Sequence, residues 1–323
     1  MDTTRKFVRY GWITLGANLF VILWGAYVRA TGSGAGCGSH WPLCNGEVIP
    51  RAPSVETLIE YSHRLTAGIA LLMVVGLLVG ALRLFERGHP ARLGAILSMI
   101  LMLTEAGIGA GLVLFELVAD NASMARALFM ATHLGNTFLL LAALILTIHW
   151  ADGGAKISWR ASQPLRSLVL AVLLGTMAIG MSGAVAALGD TLYPARSLQE
   201  ALAQDLSPTS HILIQLRKYH PLIAIGVSLL LFHFLTRVRR HCQDPETRLW
   251  ANRLNLLIYV QLAAGTVNIL LLAPVAMQLV HLLLADFLWL SLVLVCAGVL
   301  ADREAVQASS TPSGKSSSRS TVA

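Results

Sequence analysis

Eight apolar runs limit what this chain can fold into. They lie at about 11–30, 63–85, 93–115, 126–149, 165–188, 211–236, 252–273 and 279–300. As a helix, each spans roughly 30 Å of hydrocarbon. The chain is 55% apolar and 13% charged, with mean hydropathy +0.67. A water-soluble core cannot hide that much apolar surface. Lipid-facing backbone must satisfy its own hydrogen bonds, and runs this long do so as helices, whereas a barrel shows short alternating segments. The sequence therefore predicts an all-α membrane protein with eight transmembrane helices. The first run is too long for a signal-peptide core and no A-x-A-type site follows it, so it is expected to be a retained helix.

The basic residues predict an orientation. Arg5, Lys6 and Arg9 precede the first run, and Arg83, Arg87 and Arg92 follow the second. Lys156, Arg160 and Arg166 lie between the fourth and fifth, and Arg237, Arg239, Arg240, Arg248 and Arg253 between the sixth and seventh. The opposite loops carry fewer, chiefly Arg51, Arg126, Arg196, Arg217 and Lys218. An excess of Lys and Arg marks the cytoplasmic side, which places both termini in the cytoplasm of a bacterial-type inner membrane. The net charge of +7 is thus a topology signal, and no nucleic-acid partner is expected. Residues 302–323, ending SGKSSSRSTVA, lack apolar periodicity and read as a disordered cytoplasmic tail. The outer loop at about 189–210 has room for a short interfacial helix.

His63, His133, His220 and His281 each stand near the start of an even-numbered run. Even-numbered helices run in one direction, so the four imidazoles share one depth near the outer face. The spacings, 70 residues from His63 to His133 and 61 from His220 to His281, fit two four-helix units. The expected architecture is a pair of pseudo-symmetric four-helix bundles, 1–150 and 165–301. Ionisable groups inside a membrane are costly and need a reason. Neutral imidazole is a strong ligand for heme iron, and facing helices can present two to one iron. The predicted ligand pairs are His63 with His133 and His220 with His281. His211 competes with His220, since it begins the same run. His40, His89, His149, His233 and His241 fall in loops or near the inner ends.

Glu60 precedes His63 by three residues in IEYSHR, which puts both on one helix face. Its functional reading is a proton acceptor or cation stabiliser at the edge of the first porphyrin; its bland reading is an acidic residue at a helix N-terminus. Arg64 and Arg217 are candidate contacts for heme propionates, with Lys218 beside the second. Position 217 is the counterpart of Glu60 in the second unit, so only the first site is equipped for acid–base work. Cys37 and Cys44 enclose GSHWPL in an outer loop and form either a disulfide or a redox-active pair. Cys296 reads as a small apolar residue. Gln261, Asn268 and Asp286 are expected to make interhelical hydrogen bonds. Glu105, mid-span, either does the same or belongs to a proton route. The glycines of the third and fifth runs allow close approach of helices or of a porphyrin.

The stretches YVRATGSGAGCGSHWPLCNG (27–46), IEYSHRLTAG (59–68), ATHLGNTFLLL (131–141), GAVAALGDTLYP (183–194), QLAAGTVNILLLAP (261–274) and HLLLADFLWL (281–290) together resemble the heme A synthase family, over nearly the whole chain except the tail. The resemblance implies two four-helix bundles and oxidation of the C8 methyl of heme O to a formyl group, with oxygen drawn from water, for assembly of heme-copper oxidases. It implies that His63 and His133 hold the substrate heme, with Glu60 assisting at the reacting carbon, and that His220 and His281 hold an electron-carrying heme b. It matches family members with a cysteine pair in the first outer loop. Heme O synthase and a membrane electron acceptor are the partners it implies; the sequence leaves homo-oligomer formation open. Two positions depart from the family: Pro221 stands where an arginine often follows the histidine, and Glu105 stands where a neutral polar residue is expected.

A di-heme, cytochrome b-like carrier exchanging electrons with quinone is the alternative. It fits four histidines, but such carriers normally hold two hemes at two depths, and Glu60 has no task in it. A transporter would need inverted repeats and a pair of broken helices, which the pattern does not show.

Overall fold

The computed structural model describes residues 2–158 and 163–301; Arg160 and the expected tail at 302–323 lie outside them. The described residues form ten α-helices: α1 (Asp2–Ala30), α2 (Val55–Leu84), α3 (Pro90–Leu114), α4 (Met124–Ala151), α5 (Gln163–Leu192), α6 (Leu198–Leu206), α7 (Ile212–Arg217), α8 (Tyr219–His241), α9 (Pro245–Leu270) and α10 (Val275–Val299). Eight stretches are long and apolar enough to cross a membrane, with α7 and α8 together making one of them. Extended structure among the described residues is confined to two isolated bridges, Cys44 with Glu47 and Ile157 with Ala301.

Most of the spanning helices begin earlier than the apolar runs, and polar residues cap several of them. The Ser54, Ser123 and Asp244 side chains accept hydrogen bonds from the backbone N–H groups of Thr57, Arg126 and Thr247, and Pro90 and Pro245 occupy first helical turns. The four histidines therefore stand well inside their spans. His63 is eight positions past Val55, His133 nine past Met124, His220 eight past Ile212 and His281 six past Val275. At 1.5 Å per residue these depths agree to within about 5 Å. The sixth span is interrupted between Arg217 and Tyr219. Pro221 supplies the cause: it has no N–H, and its ring crowds the carbonyl four residues back, that of Arg217. The outer loop does hold a short helix, α6, with Leu198, Leu202 and Leu206 exposed along one face.

One continuous apolar core joins the first four spans to the last four. At its centre lie α4 and α10, whose most apolar stretches are 56% and 67% buried in the protein, against 28% or less for the other six spans. Phe138 of α4 stacks on Trp289 of α10 at 5.1 Å, and the Trp289 indole N–H donates to the Phe138 carbonyl at 2.6 Å. Near the histidine level Arg29 of α1 closes the same seam. Its guanidinium donates to the Ala187 carbonyl (2.7 Å) and Thr191 Oγ1 (2.6 Å) of α5, and to Gln278 Oε1 of α10 (2.7 Å). Trp289→Phe keeps the stack but removes the indole donor, leaving that carbonyl only its helical hydrogen bond. It is expected to cost about 1–3 kcal/mol, read as a lower Tm of the purified protein in detergent.

Candidate functional site

All four histidines are half-buried, at one end of the helix array, and each is shaped by a neighbouring helix. In three cases the neighbour presents a glycine. A Cβ on Gly25 of α1 would come within 2.9 Å of His63 Cε1, on Gly183 of α5 within 3.0 Å of His220 Cε1, and on Gly265 of α9 within 2.9 Å of His281 Cε1. The helix backbones therefore press directly on the rings and fix their positions. In front of Gly107 and Gly109, by contrast, space is open.

The His220 and His281 rings lie with centroids 6.4 Å apart and planes at 86°. Ring nitrogens bind metals at about 2 Å, so an iron ligated from both sides separates two imidazole centroids by about 6 Å. The pair has the spacing that such an ion needs. Ser182 Oγ lies 3.0 Å from His220 Nδ1, which leaves Nε2 free of hydrogen bonds. The Gln261 amide nitrogen lies 3.3 Å from His281 Nε2 and donates to the His281 carbonyl at 3.2 Å, while His281 Nδ1 is buried with no partner. His63 Nδ1 is buried and unpartnered, and Glu105 Oε1 stands 3.2 Å from His133 Nδ1. That contact is at ion-pair distance but off the N–H direction. Buried ring nitrogens without a hydrogen-bond partner at His63, His133 and His281 suit ligation of heme iron. Among the described residues no group of three or more His, Cys, Asp or Glu side chains gathers to hold a bare metal ion.

Around the first pair the outer loop is bound to α2. Cys37 and Cys44 form a disulfide. The Cys37 backbone N–H donates to Glu60 Oε2 at 2.8 Å, and the Arg64 guanidinium donates to Glu60 Oε1 and to the carbonyls of His40 and Leu43, both at 2.6 Å. Any side chain at Gly36 would collide with the Glu56 backbone, so the loop sits flush on the first turn of α2. Glu60 is 3% exposed and clamped at both oxygens, one helical turn from His63. Around the second pair Arg217 has the corresponding task. It donates to Asp190 Oδ1 of α5 at 2.9 Å and to Asp205 Oδ1 of α6 at 2.7 Å, which ties α6 down beside the site. Both arginines thus hold outer loops through protein acceptors.

Other expectations fare differently. His211 caps α7, its ring accepting from the Leu213 N–H, and stacks on Tyr193 at 5.0 Å; it is His220 that faces His281. Gln261 makes its interhelical bond. Asp286, expected to do the same, is wholly buried with neither carboxyl oxygen partnered, and Asn268 Oδ1 is likewise unpartnered. Sequence reasoning missed Ser182, Arg29, Asp190 and Asp205. A signal for Ser182 exists: SGAVAALGD (182–190) runs parallel to WGAYVRATG (24–32), so each stretch sets its glycine against the first histidine of a pair.

A family model described as cytochrome oxidase assembly protein, COX15-CtaA, matches residues 8–293. A protoheme IX farnesyltransferase of Thermus thermophilus is 51% identical over 291 residues, 90% of this chain and 48% of that protein. A heme A synthase of Exiguobacterium sibiricum is 38% identical over 169 residues, 51% of this chain and 54% of its own length. One of Bacillus licheniformis is 32% identical over 178 residues, 54% and 56% respectively. The chain thus spans about half the length of these curated relatives.

Ser182→Ala removes the group that orients His220. If the pair ligates a heme, loss of such a supporting hydrogen bond weakens its retention roughly ten- to hundredfold. Heme content after gel filtration, with the His63/His133 pair as internal reference, measures it.

Proposed function

Because the chain belongs to the COX15-CtaA family of cytochrome oxidase assembly proteins, we propose that this integral membrane protein is a heme A synthase. Its substrate is heme O, held by His63 and His133, and its product carries a formyl group in place of the C8 methyl. The balance is one methyl and one water giving one formyl group, four protons and four electrons. The observation that carries the reading is the clamped carboxylate of Glu60, one turn from His63 and without a counterpart beside His220. Glu60 accepts protons at the reacting carbon. The Arg64 guanidinium and the Cys37 N–H hold that carboxylate in one position, so it need not be reoriented at each step. The first outer loop lies against the helical turn that bears it.

A heme b between His220 and His281 supplies one-electron transfer when bound. Ser182 and Gln261 orient its ligands, and Arg217, through Asp190 and Asp205, keeps α6 in place over that end of the protein. Electrons leave to a membrane acceptor. The two four-helix units at 1–150 and 165–301, one per heme, and a cytoplasmic location of the basic loops belong to the same reading. A farnesyltransferase acting on protoheme IX is the natural source of the substrate, and the Thermus relative bears that name in a protein about twice as long as the matched stretch.

Mass analysis of extracted heme tests the proposal, in cells that also make heme O. Heme A, or hydroxylated heme O, beside heme b is the expected result. Heme b alone, at two per chain and unchanged by a supply of heme O, would point to an electron carrier instead. Glu60→Gln should keep both hemes and slow formation of the formyl product by roughly 10²–10⁴-fold, the range for removal of a general base.

A further inference from the structure

The two histidine pairs are supported by different chemistry at matching places. In α3, Glu105 stands four residues before Gly109; in α9, Gln261 stands four residues before Gly265. Each reaches the histidine of the next spanning helix, Glu105 at 3.2 Å from His133 and Gln261 at 3.3 Å from His281. Asn136 Nδ2 and Thr137 Oγ1, both from α4, donate to the two Glu105 oxygens at 2.5 Å each. The carboxylate is thereby held against Nδ1 of His133, while Nε2 carries no hydrogen bond. Among the described residues, Glu105 is the one acidic group at ion-pair distance from any of the four imidazoles.

We propose that Glu105 is a positioning residue that makes the His63/His133 site favour ferric iron more strongly than the His220/His281 site, so that electrons pass from the first to the second. The inference rests on the reading above that both pairs hold heme. A carboxylate 3.2 Å from a ligating imidazole places a negative charge beside the ring and makes it the richer electron donor to the iron. A more electron-rich axial ligand stabilises the higher iron charge, and ligand support of this kind is one of the protein's levers on potential. The Gln261 amide and the Ser182 hydroxyl carry no net charge and give the second site no such bias. The substrate heme is the one that must lose electrons, and the asymmetry runs in that direction.

Glu105→Gln tests this, because it keeps the size and hydrogen-bonding reach of the side chain and removes its charge. The full-length protein in detergent is titrated spectroelectrochemically, with His220→Ala used to assign the second-site component. The expected result is an upward move of the first-site midpoint by about 59 mV or more, a tenfold change in its one-electron equilibrium. The second midpoint stays in place and Glu105→Asp restores part of the shift. Gln261→Glu should lower the second midpoint by a similar amount. Two bound hemes with an unmoved first midpoint in Glu105→Gln would overturn the proposal and leave Glu105 as a bond between α3 and α4. Absence of heme at the first site in the unaltered protein would overturn the functional reading itself, and this inference with it.

Discussion

In hydrocarbon a charged side chain has no water to turn to, so one that stays ionised near the apolar interior needs a partner within the protein. Much of the local architecture follows from how this is met. Glu60 takes the Cys37 amide and Arg64; Arg217 takes Asp190 and Asp205; Glu105 takes Asn136, Thr137 and His133. In each case at least one partner lies on another helix or an outer loop, so satisfying the charge also fixes tertiary geometry. The polar groups are few, and they cluster at the histidine level. Functional chemistry and the bonds that hold the outer ends together are therefore made of the same residues.

The two sites share a plan and differ in detail. A glycine from the preceding spanning helix bears on the first histidine of each pair, and an arginine beside it anchors an outer segment. The carboxylates occupy different places: one sits a turn before His63, another behind His133, and neither has an acidic counterpart at the second pair. Duplicated scaffolding with unequal charge is what one expects where one position transforms its occupant and the other passes electrons.

Much of this was legible in the sequence. Helix number followed from run length, and the common depth of His63, His133, His220 and His281 followed from the parity of their spans. The helix starts were not, because Ser54, Ser123 and Asp244 extend regular structure into polar segments that apolar counting assigns to loops. Periodicity relates residues on one helix, so it found Glu60 with His63. It is blind to a neighbour on another helix, and the relation of Glu105 to His133, or of Ser182 to His220, emerges only once the spans are packed. The sixth run was expected to be helical from 211 onward, and the break at Lys218 that Pro221 imposes within it was not foreseen.

The burial of α4 and α10 has a consequence for biogenesis. Between lipid-embedded helices no hydrophobic force drives association, and assembly relies on packing and a few polar contacts. The inward face of α4, with Phe138, Leu141 and Leu144, is complete early in synthesis, yet Trp289 reaches it only after three further spanning stretches have been threaded into the bilayer and α10 arrives. Until then that face is covered by lipid or by an insertion factor. A ribosome that stalls before α10 leaves a protein with the first histidine pair translated but the surrounding array unclosed, a natural substrate for membrane quality control.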